Sequence, residues 1–139
     1  AEDDEAGGQV LDKIVDAAGQ KGTGRWTSIE SMKQGVDISM ITAACNARVM
    51  SNHLERRQKA SSLIQAPAVT AVEDKQAFAE MVREALYTGK IIAYAQGFSL
   101  LQDASRRFGW DLDLGSIASI YRAGCIIQDK KTPSRLRTG

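Results

Sequence analysis

The chain has 139 residues, enough for one domain with a buried core, and its 43% hydrophobic and 25% charged residues are ordinary globular values. The formal net charge of +1 gives no indication of a nucleic-acid or membrane-surface partner. The longest apolar-rich run, Ile91 to Leu101, is too short to span a bilayer.

The first predicted element is a helix over residues 10–18. Val10, Ile14, Val15 and Ala18 fall near one helical face. Gly19 follows and is a residue type that commonly ends helices. The pattern therefore predicts a short helix in front of a glycine-containing turn.

That turn, Lys21–Thr27, is the segment best suited to bind an anion. Gly22 and Gly24 flank the hydroxyl of Thr23, so the backbone can approach a ligand closely. Lys21 and Arg25 add cationic donors, and a helix that starts here adds the positive end of its dipole. The segment matches neither a P-loop nor a dinucleotide fingerprint. Two interpretations stay open: an anion site, or a plain connector whose charges face water.

Two helices are predicted next. Thr27 and Glu30 match a capping box and predict a short second helix that stops at Gly35. A long third helix is predicted over residues 38–63, capped by Asp37 or Ser39. On this helix Arg48 lies beside small residues, and it is either a surface side chain or an anion ligand. The helix also carries side chains that we interpret as a solvated surface: His53, Arg56, Arg57 and Lys59.

The residue pattern in the second half of the chain predicts one more long helix and a short one. Pro67 breaks the third helix, and Thr70 with Glu73 matches another capping box. Apolar residues at three- and four-residue steps predict a helix over 72–106, too long to hide its apolar face in a small domain without a partner. Gly109 ends it, and a last helix is predicted from Ser116 to Arg122. The predicted fold class is all-α, with several helices of which two are long.

The residue types do not form a recognisable set of catalytic or metal-binding side chains. One histidine, His53, cannot build a metal site or a catalytic triad by itself. The cysteines, Cys45 and Cys125, lie among apolar or small residues, which favours buried free thiols. The acidic residues 2–5 are not followed by the apolar run of a signal peptide. We expect a cytoplasmic chain with no catalytic residue and no metal.

Several segments in family order resemble the helical C-terminal domain of the decarboxylating 6-phosphogluconate dehydrogenases. The resemblance covers about residues 10–127. The segments that carry it are GQKGTGRWT at 19–27, the helix with Ala47 and Arg48, KIIAYAQGF at 90–98, FGW at 108–110 and RAGCII at 122–127.

The resemblance implies a function and site residues. It implies NADP-dependent oxidation and decarboxylation of 6-phosphogluconate to ribulose 5-phosphate in the pentose phosphate pathway by a homodimer. It implies that Lys21 and Thr23 hold the substrate phosphate and that Arg48 reaches the same phosphate, whereas Arg25 matches no family contact. Residues 1–127 are then part of a substrate-binding and dimerisation domain. NADP belongs to the complete enzyme, and no cofactor is expected on this chain.

The chain also departs from the family pattern. The family's Rossmann domain and its catalytic lysine and glutamate have no counterpart in these residues, and residues 128–139 form a basic tail of a different kind. We therefore expect a fragment of the enzyme, or a truncated relative, that is inactive by itself. The alternative is a non-enzymatic helical module for homo-association, favoured by the long helix over 72–106. Nucleic-acid binding through the tail has little support because no aromatic residue interleaves its charges, and no membrane partner is expected.

Overall fold

The computed structural model describes residues 7–123, and its regular elements are helical, as predicted. The acidic residues 2–5, the predicted thiol Cys125 and the basic tail 128–139 lie outside the described residues. Within them a 3-10 turn, Val10–Lys13, precedes five α-helices: α1 Thr23–Gln34, α2 Ser39–Asn52, α3 Leu54–Leu63, α4 Lys75–Phe108 and α5 Leu114–Ile120. None of these helices combines the length and the apolarity that crossing a membrane requires.

The core forms where α1, α2 and α5 pack on the C-terminal half of α4. The buried apolar side chains are Ile38, Tyr94, Leu100, Ala104 and Ala118. The Tyr94 ring meets that of Tyr121, just after α5, edge to face with centroids 5.3 Å apart. In contrast, residues 75–88 of α4 are all exposed. The helix therefore supports the core with one half and presents the other half to solvent.

The prediction of a helix over residues 10–18 is wrong beyond the first turn. Only Val10–Lys13 is helical, as a 3-10 turn. Ile14 and Val15 are 62% and 74% exposed, so burial of an apolar face does not stabilise a helix here. Residues 16–20, which we call the strap, instead run along α2 and bond to it at several points.

Helix α1 starts earlier than the capping-box pattern predicts. Its N-cap is Gly22, with a left-handed φ of +106°, and the first turn begins at Thr23. Thr27 therefore lies inside the helix, where its hydroxyl donates to the Thr23 carbonyl at 2.8 Å. The predicted stop at Gly35 is confirmed, because Gly35 takes the left-handed conformation that ends many helices (φ +71°).

The predicted third helix is broken at His53 into α2 and α3. The Arg57 guanidinium donates to the Ser51 carbonyl at 3.0 Å, and a continuous helix would need that carbonyl for its own ladder. Of the two predicted long helices, only α4 is therefore present as one element.

The start of α2 is capped from another helix. Its N-cap residue, Ile38, has no side-chain cap. The amide of Gln96, on α4, bonds here instead: its Oε1 accepts from the Met40 N–H at 3.0 Å, and its Nε2 donates to Ser39 Oγ at 3.1 Å and Asp37 Oδ2 at 3.2 Å. Of the two predicted caps, Asp37 accepts from the Ser39 N–H through Oδ1 at 3.0 Å, whereas Gln96 takes the Met40 N–H.

Helices α4 and α5 are capped by aspartates rather than by the predicted hydroxyl residues. Asp74 accepts from the Gln76 and Ala77 amides, and Asp113 accepts from the Gly115 and Ser116 amides. A carboxylate also interacts favourably with the helix dipole, so the two aspartates fix the starts at Lys75 and Leu114. The predicted stop at Gly109 is confirmed.

Candidate functional site

A cavity of about 420 Å³ lies between the loop over residues 19–24 and helix α2. Lys21 and Thr23 line its loop side, and Arg48 lines its helix side. The three residues expected at a phosphate site, which span 28 positions of sequence, therefore share one cavity. Arg25, the second cation of the predicted anion-binding turn and a residue that matches no family contact, does not line it.

The cavity lies at the N-terminus of α1. Gly22 provides the N-cap in a left-handed conformation, and no side chain caps the first turn. The first amides of an α-helix have no partner within the helix, so at this end they can bind an anion with help from the helix dipole. A residue with a Cβ would be strained at φ +106°, which explains the glycine at position 22.

Arg48 is tied to the loop that it faces. Its Nη1 donates to the Gly19 carbonyl at 2.8 Å. Because a guanidinium carries five N–H donors, this bond leaves others for a ligand in the cavity. The bond also orients the guanidinium plane, which favours a fork-like contact with an oxyanion.

The first turn of α1 rests directly on α2. A Cβ added to Gly24 would lie 2.5 Å from Cys45 Sγ, closer than real Cβ contacts come. Cys45 is a free thiol, half-buried rather than buried as predicted. Packing against Cys45 therefore explains the glycine at position 24.

The strap, residues 16–20, holds the loop against α2. The Ala18 N–H donates to Ser51 Oγ at 3.1 Å, and Gln20 Nε2 donates to the Cys45 carbonyl at 2.6 Å. Arg57 bonds to Asp16 through the carboxylate at 2.8 Å and also through the carbonyl. The interpretation of Arg57 as a solvated side chain is therefore wrong. Sequence gave no signal for these bonds, because each joins residues at least 25 positions apart.

A second, larger cavity of about 780 Å³ is mainly apolar. Glu30 and Gln34 form part of its polar edge, and hydrogen bonds from Lys33 and Gln34 lower the pKa of the Glu30 carboxyl. A carboxyl with a lowered pKa is unsuited to act as a general acid near neutral pH. The aromatic residues that line this cavity are Trp26, Tyr94, Phe98, Phe108, Trp110 and Tyr121.

The described residues bring together no metal-binding group. No three histidine, cysteine, aspartate or glutamate side chains cluster between residues 7 and 123. His53 is exposed at the break between α2 and α3, which confirms its surface position. The described site with the clearest chemistry is thus the cationic cavity at the start of α1.

Comparisons with known proteins agree on one family. The family model for the C-terminal domain of 6-phosphogluconate dehydrogenase matches residues 1–135. A relative from Lactococcus lactis, described as "6-phosphogluconate dehydrogenase, decarboxylating", is 49% identical over 126 residues, which are 91% of this chain and 27% of the relative. A relative from Synechocystis with the same description is 49% identical and is covered to 26% of its length.

A solved structure shows the same fold. The Plasmodium falciparum 6-phosphogluconate dehydrogenase, described in its apo form and in complex with its cofactor NADP+ and its substrate 6-phosphogluconate, matches 97% of this chain with a TM-score of 0.82 and 39% identity. This chain covers 29% of that protein. The 139 residues therefore correspond to between a quarter and a third of the length of these proteins.

Proposed function

The chain belongs to the family of the 6-phosphogluconate dehydrogenase C-terminal domain, and from this premise we propose that it binds the phosphate group of 6-phosphogluconate. The enzyme that contains it carries out NADP-dependent oxidation and decarboxylation of that substrate to ribulose 5-phosphate. Residues 1–127 contribute to substrate binding and to dimerisation. The free thiol of Cys45 is consistent with a reducing compartment, and we place the enzyme in the cytoplasm.

One observation carries the phosphate assignment: Lys21, Thr23 and Arg48 line a single cavity at the uncapped start of α1. A phosphate dianion is bound best by charge-assisted donors. Lys21 supplies a point charge, Arg48 a planar fork and Thr23 a hydroxyl, while the helix supplies amides and its dipole.

A binding titration tests the assignment. We expect the chain to bind 6-phosphogluconate and to bind gluconate, which lacks the phosphate, much more weakly. Lys21→Ala and Arg48→Ala each remove a charge-assisted contact and are expected to cost about 1.5–3 kcal/mol, roughly ten- to hundredfold in Kd. Calorimetry or NMR measures the affinities.

Matched control variants distinguish the loss of a contact in the cavity from the effect of a lower net charge on affinity. Lys33 and Arg83 are exposed cations on α1 and α4 that do not line the cavity. Lys33→Ala and Arg83→Ala remove the same charges and are expected to leave the affinity nearly unchanged. Equal affinities in all four variants would reject Lys21 and Arg48 as phosphate ligands.

The second part of the proposal concerns turnover. The family's catalytic lysine and glutamate have no counterpart in these residues, and the cations that line the cavity are assigned to the phosphate. We therefore expect no NADPH production when the purified 139-residue chain is mixed with 6-phosphogluconate and NADP. Absorbance of NADPH measures this, and turnover by the pure chain would contradict the assignment of catalysis to other parts of the enzyme.

Self-association is a candidate function with its own observation. Residues 75–88 of α4 are all exposed, and Phe78, Met81, Val82 and Leu86 form an apolar stripe at helical spacing. We propose that this stripe pairs with a second copy, which makes the chain a homodimer. Burial of such side chains stabilises association by about 25 cal/mol per Å² of apolar area before the cost of ordering is subtracted.

Sedimentation over a concentration series tests the pairing. Leu86 is 73% exposed, so Leu86→Glu leaves the described core intact while placing a charge in the stripe. We expect the variant to remain monomeric at concentrations where the unsubstituted chain dimerises. Gln76→Glu adds the same charge on the opposite face of α4 and serves as control. A strictly monomeric unsubstituted chain would count against the homodimer.

A further inference from the structure

Gln20 is one of the residues that line the cavity, and its side chain joins the strap to α2. Its Nε2 donates to the Cys45 carbonyl at 2.6 Å, across 25 positions of sequence. Lys21 follows it in the chain, and Arg48 lies about one helical turn beyond Cys45 on α2. On the premise of the phosphate site proposed above, we infer that Gln20 is a positioning residue that sets Lys21 and the first turn of α1 against Arg48.

Two hydrogen bonds of opposite direction fix this part of the strap. Gln20 donates from the strap to α2, and Arg48 donates from α2 to the neighbouring Gly19 carbonyl at 2.8 Å. Two bonds at adjacent residues hold the backbone against sliding and against rotation. The position of the Arg48 guanidinium is thereby coupled to the position of the loop.

Cys45 anchors the loop on both sides of Lys21. Its carbonyl accepts from Gln20, just before Lys21, and its Sγ lies against Gly24, three residues after Lys21, where an added Cβ would be 2.5 Å away. The intervening residues include Gly22, and glycine loses more backbone freedom on ordering than other residues do. A loop that is already held in place avoids that loss when a ligand binds, so the bond between Gln20 and Cys45 favours binding by holding Lys21 in place beforehand.

The variant Gln20→Met tests the positioning role. Methionine has nearly the same length, carries no charge and cannot donate to the Cys45 carbonyl. We expect the Kd for 6-phosphogluconate to rise about three- to tenfold, as for one lost hydrogen bond. Amide hydrogen exchange of Lys21 and Thr23 in the ligand-free chain is expected to accelerate. Gln102→Met, on an exposed position of α4, is the control and leaves both measurements unchanged.

A double-mutant cycle with Lys21→Ala distinguishes positioning from general stability. If Gln20 acts by placing Lys21, then Gln20→Met weakens binding less in the Lys21→Ala background than in the unsubstituted chain. A merely structural role gives the same fold-loss in both backgrounds, and that result would overturn the inference.

The outcomes also separate this inference from the proposed function. If the unsubstituted chain does not bind 6-phosphogluconate, the phosphate assignment fails and the inference fails with it. If the unsubstituted chain binds and Gln20→Met binds equally well with unchanged hydrogen exchange, only the role of Gln20 is overturned. Weaker binding together with faster exchange and coupling to Lys21 supports both.

Discussion

The contact between Gly24 and Cys45 makes a sharp prediction about stability. A Cβ at position 24 would lie 2.5 Å from Cys45 Sγ, whereas its distance to Cys45 Cβ is 3.9 Å, an ordinary contact. Gly24→Ala therefore places one methyl group against one sulfur atom. Because α1 and α2 meet here, relief requires either a new rotamer for Cys45 or separation of the two helices by about 1 Å.

The expected loss of unfolding free energy follows from these two ways of relieving the clash. A strained rotamer costs about 0.5–1.5 kcal/mol and overpacking about 1–3 kcal/mol, so we expect Gly24→Ala to destabilise the chain by about 1–3 kcal/mol. In the Cys45→Ala background the sulfur is absent and the new methyl group meets only an ordinary contact. There the same substitution is expected to cost little or to stabilise, since alanine is favoured over glycine in helices by up to about 1 kcal/mol.

Urea unfolding followed by far-UV circular dichroism measures the free energy of unfolding of the unsubstituted chain, of Gly24→Ala, of Cys45→Ala and of the double variant. Gly89→Ala is the matched control, because Gly89 lies within α4 and a Cβ there meets nothing within 4 Å. We expect it to stabilise the chain by about 0.5–1 kcal/mol. Two results would contradict a clash between the new methyl group and Cys45 Sγ. One is that Gly24→Ala is as stable as Gly89→Ala. The other is that Gly24→Ala lowers the free energy of unfolding by the same amount in the Cys45→Ala background.

Three further substitutions test the contacts that define the fold. Gln96→Ala removes the acceptor of the Met40 amide at the start of α2 and is expected to lower unfolding free energy by about 1–2 kcal/mol, measured by urea unfolding, whereas the exposed Gln102→Ala changes it little. Asp113→Ala leaves two amides of α5 without their carboxylate and is expected to cost about 1 kcal/mol by the same measurement; an unchanged midpoint would show that the cap contributes nothing. Arg57→Met releases Asp16 from α3, so limited proteolysis is expected to cut the strap faster, and equal cleavage rates would contradict the bonding described for it.

Much of the fold could be predicted because helices are encoded locally. Apolar spacing located the segments that form α2, α3 and α4, and a capping-box pattern located α1. The stops at Gly35 and Gly109 followed from the special freedom of glycine. The starts were less accurate: hydroxyl residues matched the capping patterns, but Asp74 and Asp113 supply the caps of α4 and α5. Several residues near a helix start can satisfy the same amides, so the local pattern alone does not choose among them.

The sequence by itself determined the all-α class and the family resemblance, and through that resemblance it gave Lys21, Thr23 and Arg48 as the expected phosphate ligands. Tertiary structure alone brought these residues to one cavity and tied its loop through Gln20 to Cys45. It also ended the predicted helix over 10–18 after one turn. The physical reason is that helical periodicity depends on neighbours within four residues, whereas a hydrogen bond such as that of Gln20 depends on a partner 25 positions away.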